Sequence, residues 1–220
     1  MGAALRNPKF WIFGICLLPL LRLLVLGASG GLGANPIEFI TRSTGTWTLV
    51  GLLLTLSVTP LRRLTGRADL IRYRRMLGLF AFFYAGLHFV TYLWLDQFFD
   101  PAAIARDIVK RPFITIGFAA FVLLIPLALT STHAMMRRLG RRWQQLHRLI
   151  YLIALLGVIH FLWLVKKDLT EPLIYAAVLA LLLGARLPWG VTLLQTARSR
   201  FTPARFQVGQ TVGNGAERRN

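Results

Sequence analysis

The 220-residue chain is 55% hydrophobic and 15% charged, with a mean hydropathy of +0.58 and a formal net charge of +18. A soluble domain carries about a quarter charged residues, so a water-soluble globular fold is excluded. The basic excess falls between apolar runs and reads as membrane topology rather than as a nucleic-acid interface. The single cysteine, Cys16, permits no intramolecular disulfide, no iron–sulfur cluster and no C-x-x-C-H attachment of a c-type haem.

In chain order, apolar runs predict six membrane spans: Phe10–Ala28, Thr46–Leu61, Met76–Leu95, Pro112–Thr132, Leu146–Val165 and Pro172–Ala185. A hydrocarbon core of about 30 Å needs about 20 apolar residues. The second and sixth runs are short, and the sixth is expected to continue past Arg186, with that side chain reaching the interface. Arg6 and Lys9 precede the first run as in a signal peptide, but Arg22 interrupts its core and five runs follow, so a retained helix is expected. Gly30-Gly31-Leu32-Gly33-Ala34 follows a hydrophobic helix and lacks the strand–turn–helix context of a dinucleotide loop. No internal repeat is visible.

Loop charges set the orientation. One side of the predicted bundle, including both termini, holds nineteen of the 26 Lys and Arg residues and, of the 8 acids, Asp69 and Glu217 alone. The positive-inside rule makes that side cytoplasmic. The expected fold class is an all-α integral membrane protein, a six-helix transmembrane bundle in the bacterial inner membrane. Residues 1–9 form a cytoplasmic N-terminus, residues 10–195 the transmembrane domain, and residues 196–220 a basic, disordered cytoplasmic tail resting on anionic lipid.

The residues that can carry chemistry are histidines: His88, His133, His147 and His160. Three fall inside predicted spans, where ionisable groups are costly and usually functional. Neutral imidazole is a standard axial ligand of haem iron, and two imidazoles leave no open position, which suits electron transfer. His88 lies roughly 18 Å into span three and His160 about 25 Å into span five at the helical rise. Both fall in the periplasmic half and form the expected bis-His pair for haem b. His147 lies only about 6 Å in, too far toward the cytoplasm to share that iron, and suggests a second level.

In a straight helix His147 and His160 point about 140° apart. Either two haems lie on different sides of span five or the helix is distorted, with Gly157 the expected place. The positions of span three opposite His147 are Arg74 and Arg75, not His, so an inner bis-His site is incomplete. His133, at the end of span four, reads as an interfacial or helix-terminal residue, with the inner partner of His147 as the alternative. Arg74, Arg75, Arg141 and Arg142 suit haem propionates or a flavin phosphate, although each is first a topology charge. Phe89, Tyr92, Phe161 and Trp163 flank the expected haem, as belt aromatics also would. There is no hydrolytic triad, acid pair or nicotinamide-binding domain, so the chain is expected to relay electrons without transforming a substrate.

Several strings resemble one family. They are Gly31-Leu32-Gly33-Ala34-Asn35-Pro36, Thr44-Gly45, Thr59-Pro60-Leu61, Arg74-Arg75-Met76-Leu77-Gly78-Leu79, Leu87-His88, Ala128-Leu129-Thr130-Ser131-Thr132 and Arg141-Arg142-Trp143-Gln144-Gln145-Leu146-His147. From Gly30 to Ala185 the chain resembles the MsrQ (YedZ) family, haem-binding membrane subunits of a bacterial methionine sulfoxide reductase system with a ferric reductase-like fold. The resemblance implies haem b and FMN as cofactors. It implies a quinone or a cytoplasmic flavin reductase as electron donor and a periplasmic molybdopterin-containing methionine sulfoxide reductase as partner. The family histidines map onto His88, His147 and His160; no residues are assigned to FMN. A stand-alone metalloreductase and a proton-coupled transporter remain the rival readings.

Overall fold

The computed structural model describes residues 7–165 and 167–201, and among these every regular element is helical. Residues 1–6, Lys166 and the tail beyond Phe201 lie outside the described residues, including the expected cytoplasmic cations at Arg6, Arg205, Arg218 and Arg219.

Helix α1 spans Pro8–Ala28, capped by Asn7, whose side chain accepts from Lys9 N. Helix α2, Pro36–Thr65, starts ten residues before the expected Thr46. The Asn35 side chain caps Glu38 N, and Pro36 at the first position loses nothing by lacking an N–H. It ends at Gly66, whose φ of 72° is the left-handed conformation that closes a helix. A 3₁₀ turn, Ala68–Tyr73, leads into α3, Arg74–Thr91, which runs on as a π turn, Tyr92–Asp96. The loop that follows contains the short helix α4, Pro101–Lys110, capped by Asp100. Then follow α5 (Pro112–Leu129), α6 (His133–Leu139), α7 (Arg141–His147), α8 (Leu149–Leu164), α9 (Thr170–Gly184) and α10 (Pro188–Phe201).

Five stretches are long and apolar enough to cross a membrane: Pro8–Ala28, Pro36–Thr65, Ala68–Asp96, Pro112–Leu129 and Arg141–Leu164. The sixth predicted span, α9, is apolar but has 15 residues, about 22 Å of helix.

Three local expectations need correction. The sixth helix does not continue through Arg186: it ends at Gly184, before Pro188, which disfavours helical backbone at Leu187. Arg186 does not extend to the interface but turns inward. Its guanidinium donates to the carbonyls of Leu182 and Leu56 and lies 5.5 Å from the centre of the Tyr151 ring. Pro60 supplies the reason. It has no N–H to give the carbonyl four residues back, Leu56, and Arg186 takes that acceptor. The tail expected to be disordered from Thr196 instead continues α10 to Phe201.

Helix α2 packs along α3, and α5 along α8, each pair antiparallel. Gly51 lets α2 and α3 approach closely: a Cβ there would lie 3.0 Å from Ala81 Cα. The shared core contains Leu49, Leu52, Leu56, Ala81, Ala85, Leu124, Ile153, Ala154 and Val158. Helix α1 lies at the edge. Pro19 lies inside it, and the Tyr84 hydroxyl bridges the adjoining turn, donating to Cys16 O at 2.7 Å and accepting from Leu20 N at 3.3 Å. Large apolar side chains such as Leu18, Leu24 and Leu181 point away from the bundle, as lipid-facing residues do.

Candidate functional site

The imidazoles of His88 on α3 and His160 on α8 meet inside the bundle, ring centroids 6.2 Å apart and planes at 76°. These are the two residues that helical rise places at a similar depth on different helices. Each ring is held from behind by a backbone carbonyl of the neighbouring helix. His88 Nδ1 donates to Thr41 O at 2.9 Å, and His160 Nδ1 donates to Phe113 O at 2.6 Å. A carbonyl can only accept, so each Nδ1 carries the proton and each Nε2 keeps its lone pair. This outer hydrogen bond is the usual companion of a metal-ligating histidine. With metal–nitrogen bonds of about 2 Å, two imidazoles bound to one ion have centroids about 6 Å apart. The 6.2 Å separation fits that requirement.

Two glycines make room for the rings. A Cβ at Gly45 of α2 would lie 3.1 Å from His88 Cε1, and a Cβ at Gly117 of α5 would lie 2.7 Å from His160 Nδ1. Phe89, next to His88 in the chain, stacks on Phe121 at 4.7 Å and meets Phe118 at 5.8 Å. Of the aromatic residues expected to flank the site, Trp163 is instead exposed, and Phe161 packs on Tyr175.

His147 stands apart. It ends α7, about 19 Å along the helix axis from His160. Its Nδ1 bonds Trp143 O at 3.0 Å, its ring stacks on Trp143 at 3.9 Å, and its Nε2 is buried without a hydrogen bond of ordinary geometry, the Leu127 backbone lying within electrostatic range of the ring. The expected distortion is present but lies at Arg148, where α7 stops and α8 begins, not at Gly157 within α8. The imidazole binds the carbonyl four residues back, an acceptor that belongs to the helix ladder, and local competition of that kind loosens a helix. Arg148 N accordingly bonds Gln145 O, a tighter turn.

His133 is exposed at the first position of α6. Among the described residues, Arg74, Arg75, Arg141 and Arg142 make no ion pair with a carboxylate. Arg74 lies within electrostatic range of both His147 and Arg186. The sequence reading did not assign functional parts to Thr41, Phe113, Gly45 and Gly117. Two of them act through backbone carbonyls and two through a missing side chain, so no side-chain chemistry could have pointed to them.

Residues 44–158 match the ferric reductase like transmembrane component family, which defines the class: a helical, membrane-embedded redox-type domain. The relatives are more specific. The chain is 60% identical over 189 residues to the protein-methionine-sulfoxide reductase heme-binding subunit MsrQ of Ralstonia nicotianae, covering 84% of this chain and 87% of the relative. It is 58% identical over 185 residues to that of Bordetella pertussis (83% and 90% covered), and 57% identical over 201 residues to that of Azospira oryzae (90% and 86% covered). The chain belongs to the MsrQ family. No solved structure matches it.

Proposed function

We propose that the chain is the haem b-binding membrane subunit of a methionine sulfoxide reductase system, with His88 and His160 as the axial ligands of one haem. The observation that carries this reading is the pair of imidazoles 6.2 Å apart, each with Nδ1 tied to a carbonyl. A haem held by His88 and His160 would supply a one-electron redox centre. The protein's part is to fix both imidazole tautomers, to exclude water with the buried apolar core beside them, and to hold the site toward one face of the bilayer.

The charge pattern supports six spans in the inner membrane with both termini cytoplasmic, α9 serving as the short sixth span. The histidine pair then lies in the periplasmic half. Electrons enter from a quinone or a cytoplasmic flavin reductase and leave to a periplasmic molybdopterin-containing methionine sulfoxide reductase subunit. His147, half-buried with Arg74 in electrostatic range, supports a second, inner cofactor that would shorten the path from the cytoplasmic face. FMN is part of the proposal on family grounds, without residues assigned.

The test is low-temperature EPR of purified protein. His88→Ala and His160→Ala should each remove the same low-spin signal and abolish electron delivery to the periplasmic partner while insertion is preserved. Loss of two different signals would refute the pairing. Absence of any b-type absorption in the unmutated protein would refute a redox role and favour a transporter.

A further inference from the structure

Two buried hydroxyls stand one helical turn outside the histidine pair. Tyr92 follows His88 by four residues and so continues its face of the helix. Thr41 lies on α2 at the same level, its carbonyl accepting from His88 Nδ1. Thr41 Oγ1 and Tyr92 Oη are both buried, and neither has a hydrogen-bond partner. Thr41 is exceptional within its own helix. Thr44, Thr48 and Thr55 each close their hydroxyl on the carbonyl one turn back, at 2.7 to 2.9 Å. Thr41 makes no such bond, although a helical threonine has that acceptor within reach.

The surroundings differ sharply on the other side of the pair. Inward of His88 and His160 the walls are Leu49, Leu52, Ala85, Ala120 and Val158, all buried and apolar. A ligand held between the imidazoles meets unsatisfied donors at its outer edge and hydrocarbon at its inner edge. Haem has an apolar macrocycle and two carboxylates on one edge, so these walls favour one orientation. The charged groups within range of the Tyr92 hydroxyl are Asp96, Asp107 and Arg111. Arg111 is engaged by Asp107 at 3.4 Å, and the Gln97 amide binds both aspartates. Among the described residues the one cation in range of Tyr92, Arg111, is held by an acid, and neutral hydroxyls are the donors on offer to a carboxylate.

We infer that the Thr41 and Tyr92 hydroxyls donate hydrogen bonds to a propionate carboxylate of the haem between His88 and His160, fixing its carboxylate edge toward the outer face. The inference rests on the bis-His reading and adds to it two positioning residues. Their hydrogen bonds spread the propionate's charge, which otherwise favours the ferric state.

The experiment uses haem-loaded protein in detergent, with Tyr92→Phe, Thr41→Val and Thr41→Ser variants. Three quantities are read: the bis-His EPR signal, the rate of haem loss to an apoprotein acceptor, and the midpoint potential. Tyr92→Phe and Thr41→Val should keep the signal, release haem roughly tenfold faster, as the loss of one bond to a charged group implies, and show a lower potential. Thr41→Ser, which keeps the hydroxyl, should behave as the unmutated protein. Unchanged haem loss and potential in Tyr92→Phe would overturn the inference, as would Thr41→Ser matching Thr41→Val, since methyl packing would then be the cause. Failure of the bis-His reading itself would show separately, as a signal that survives His88→Ala.

Discussion

Gly117→Ala is the most direct test of how the site is built. The added Cβ would lie 2.7 Å from His160 Nδ1 and 2.9 Å from Cε1. Ordinary carbon contacts begin near 3.5 Å, so the imidazole must retreat from α5 by about 0.7 Å or more. That retreat moves Nδ1 away from the Phe113 carbonyl, now 2.6 Å distant. The bond lengthens to about 3.3 Å, past the usual range for N–H···O. Loss of such an outer bond typically lowers metal affinity 10- to 100-fold. Haem titration of the purified apoprotein should show a drop of that size, together with a weakened or altered bis-His signal. Gly45→Ala is the internal control. Its Cβ would meet His88 Cε1 at 3.1 Å and Nδ1 at 3.2 Å, so a few tenths of an ångström relieve it and the loss should be clearly smaller. Equal effects in the two variants, or full affinity in Gly117→Ala, would refute the reasoning.

Three further predictions concern other parts of the molecule. His147→Ala should lose or alter an inner cofactor and slow reduction from the cytoplasmic side, while the outer bis-His signal survives and a small reductant reaching the outer face still works; full cofactor content and unchanged donor-driven rates would end the two-level proposal. Arg186→Met should destabilise the bundle by about 1–3 kcal/mol, because the Leu56 carbonyl freed by Pro60 loses its donor; in a Pro60→Ala background, where Leu56 regains a helix donor, the same change should cost clearly less in a detergent-denaturation double-mutant cycle. Reporter fusions should place Asn35, Asp100 and Asp168 in the periplasm and Arg67 and Gly140 in the cytoplasm, and a periplasmic Gly140 would reverse the helix pair that carries both His147 and His160.

The histidine pair was legible from depth alone, because a helix converts residue count into distance and α3 and α8 run in the same direction. The apolar runs were equally legible, although α2 begins at Pro36 and not Thr46: its first turns are polar, and the Asn35 cap and Pro36 outweigh hydropathy in setting the start. The carbonyls that fix the imidazoles were not legible. They depend on the register of α2 against α3 and of α5 against α8, and any residue type could supply them. Gly117 within an apolar run reads as packing until the ring beside it is seen. Arg186 misled for a different reason. Charge near a span end ordinarily means an interfacial side chain, but an acceptor orphaned by a proline on another helix drew it inward.

The two levels of the bundle are built unequally, and the inequality bears on how each would bind a redox group. At the outer level both imidazoles are braced by neighbouring helices, α2 behind His88 and α5 behind His160. Those outer bonds fix both rings before any ligand arrives, and preorganisation of that kind would favour tight binding of a metal-bearing group. At the inner level His147 is braced by its own helix, through Trp143 O, at the point where that helix breaks. No second histidine faces it, and its neighbour on α3 is Arg74, a cation with no carboxylate partner among the described residues. Under the two-level proposal, one imidazole beside a guanidinium with no carboxylate partner among the described residues would suit a group that brings its own negative charge and takes one ligand from the protein. Such a site would hold its group less tightly than the braced pair does. Electrons would then enter at the looser level from a diffusing donor and leave from the fixed one.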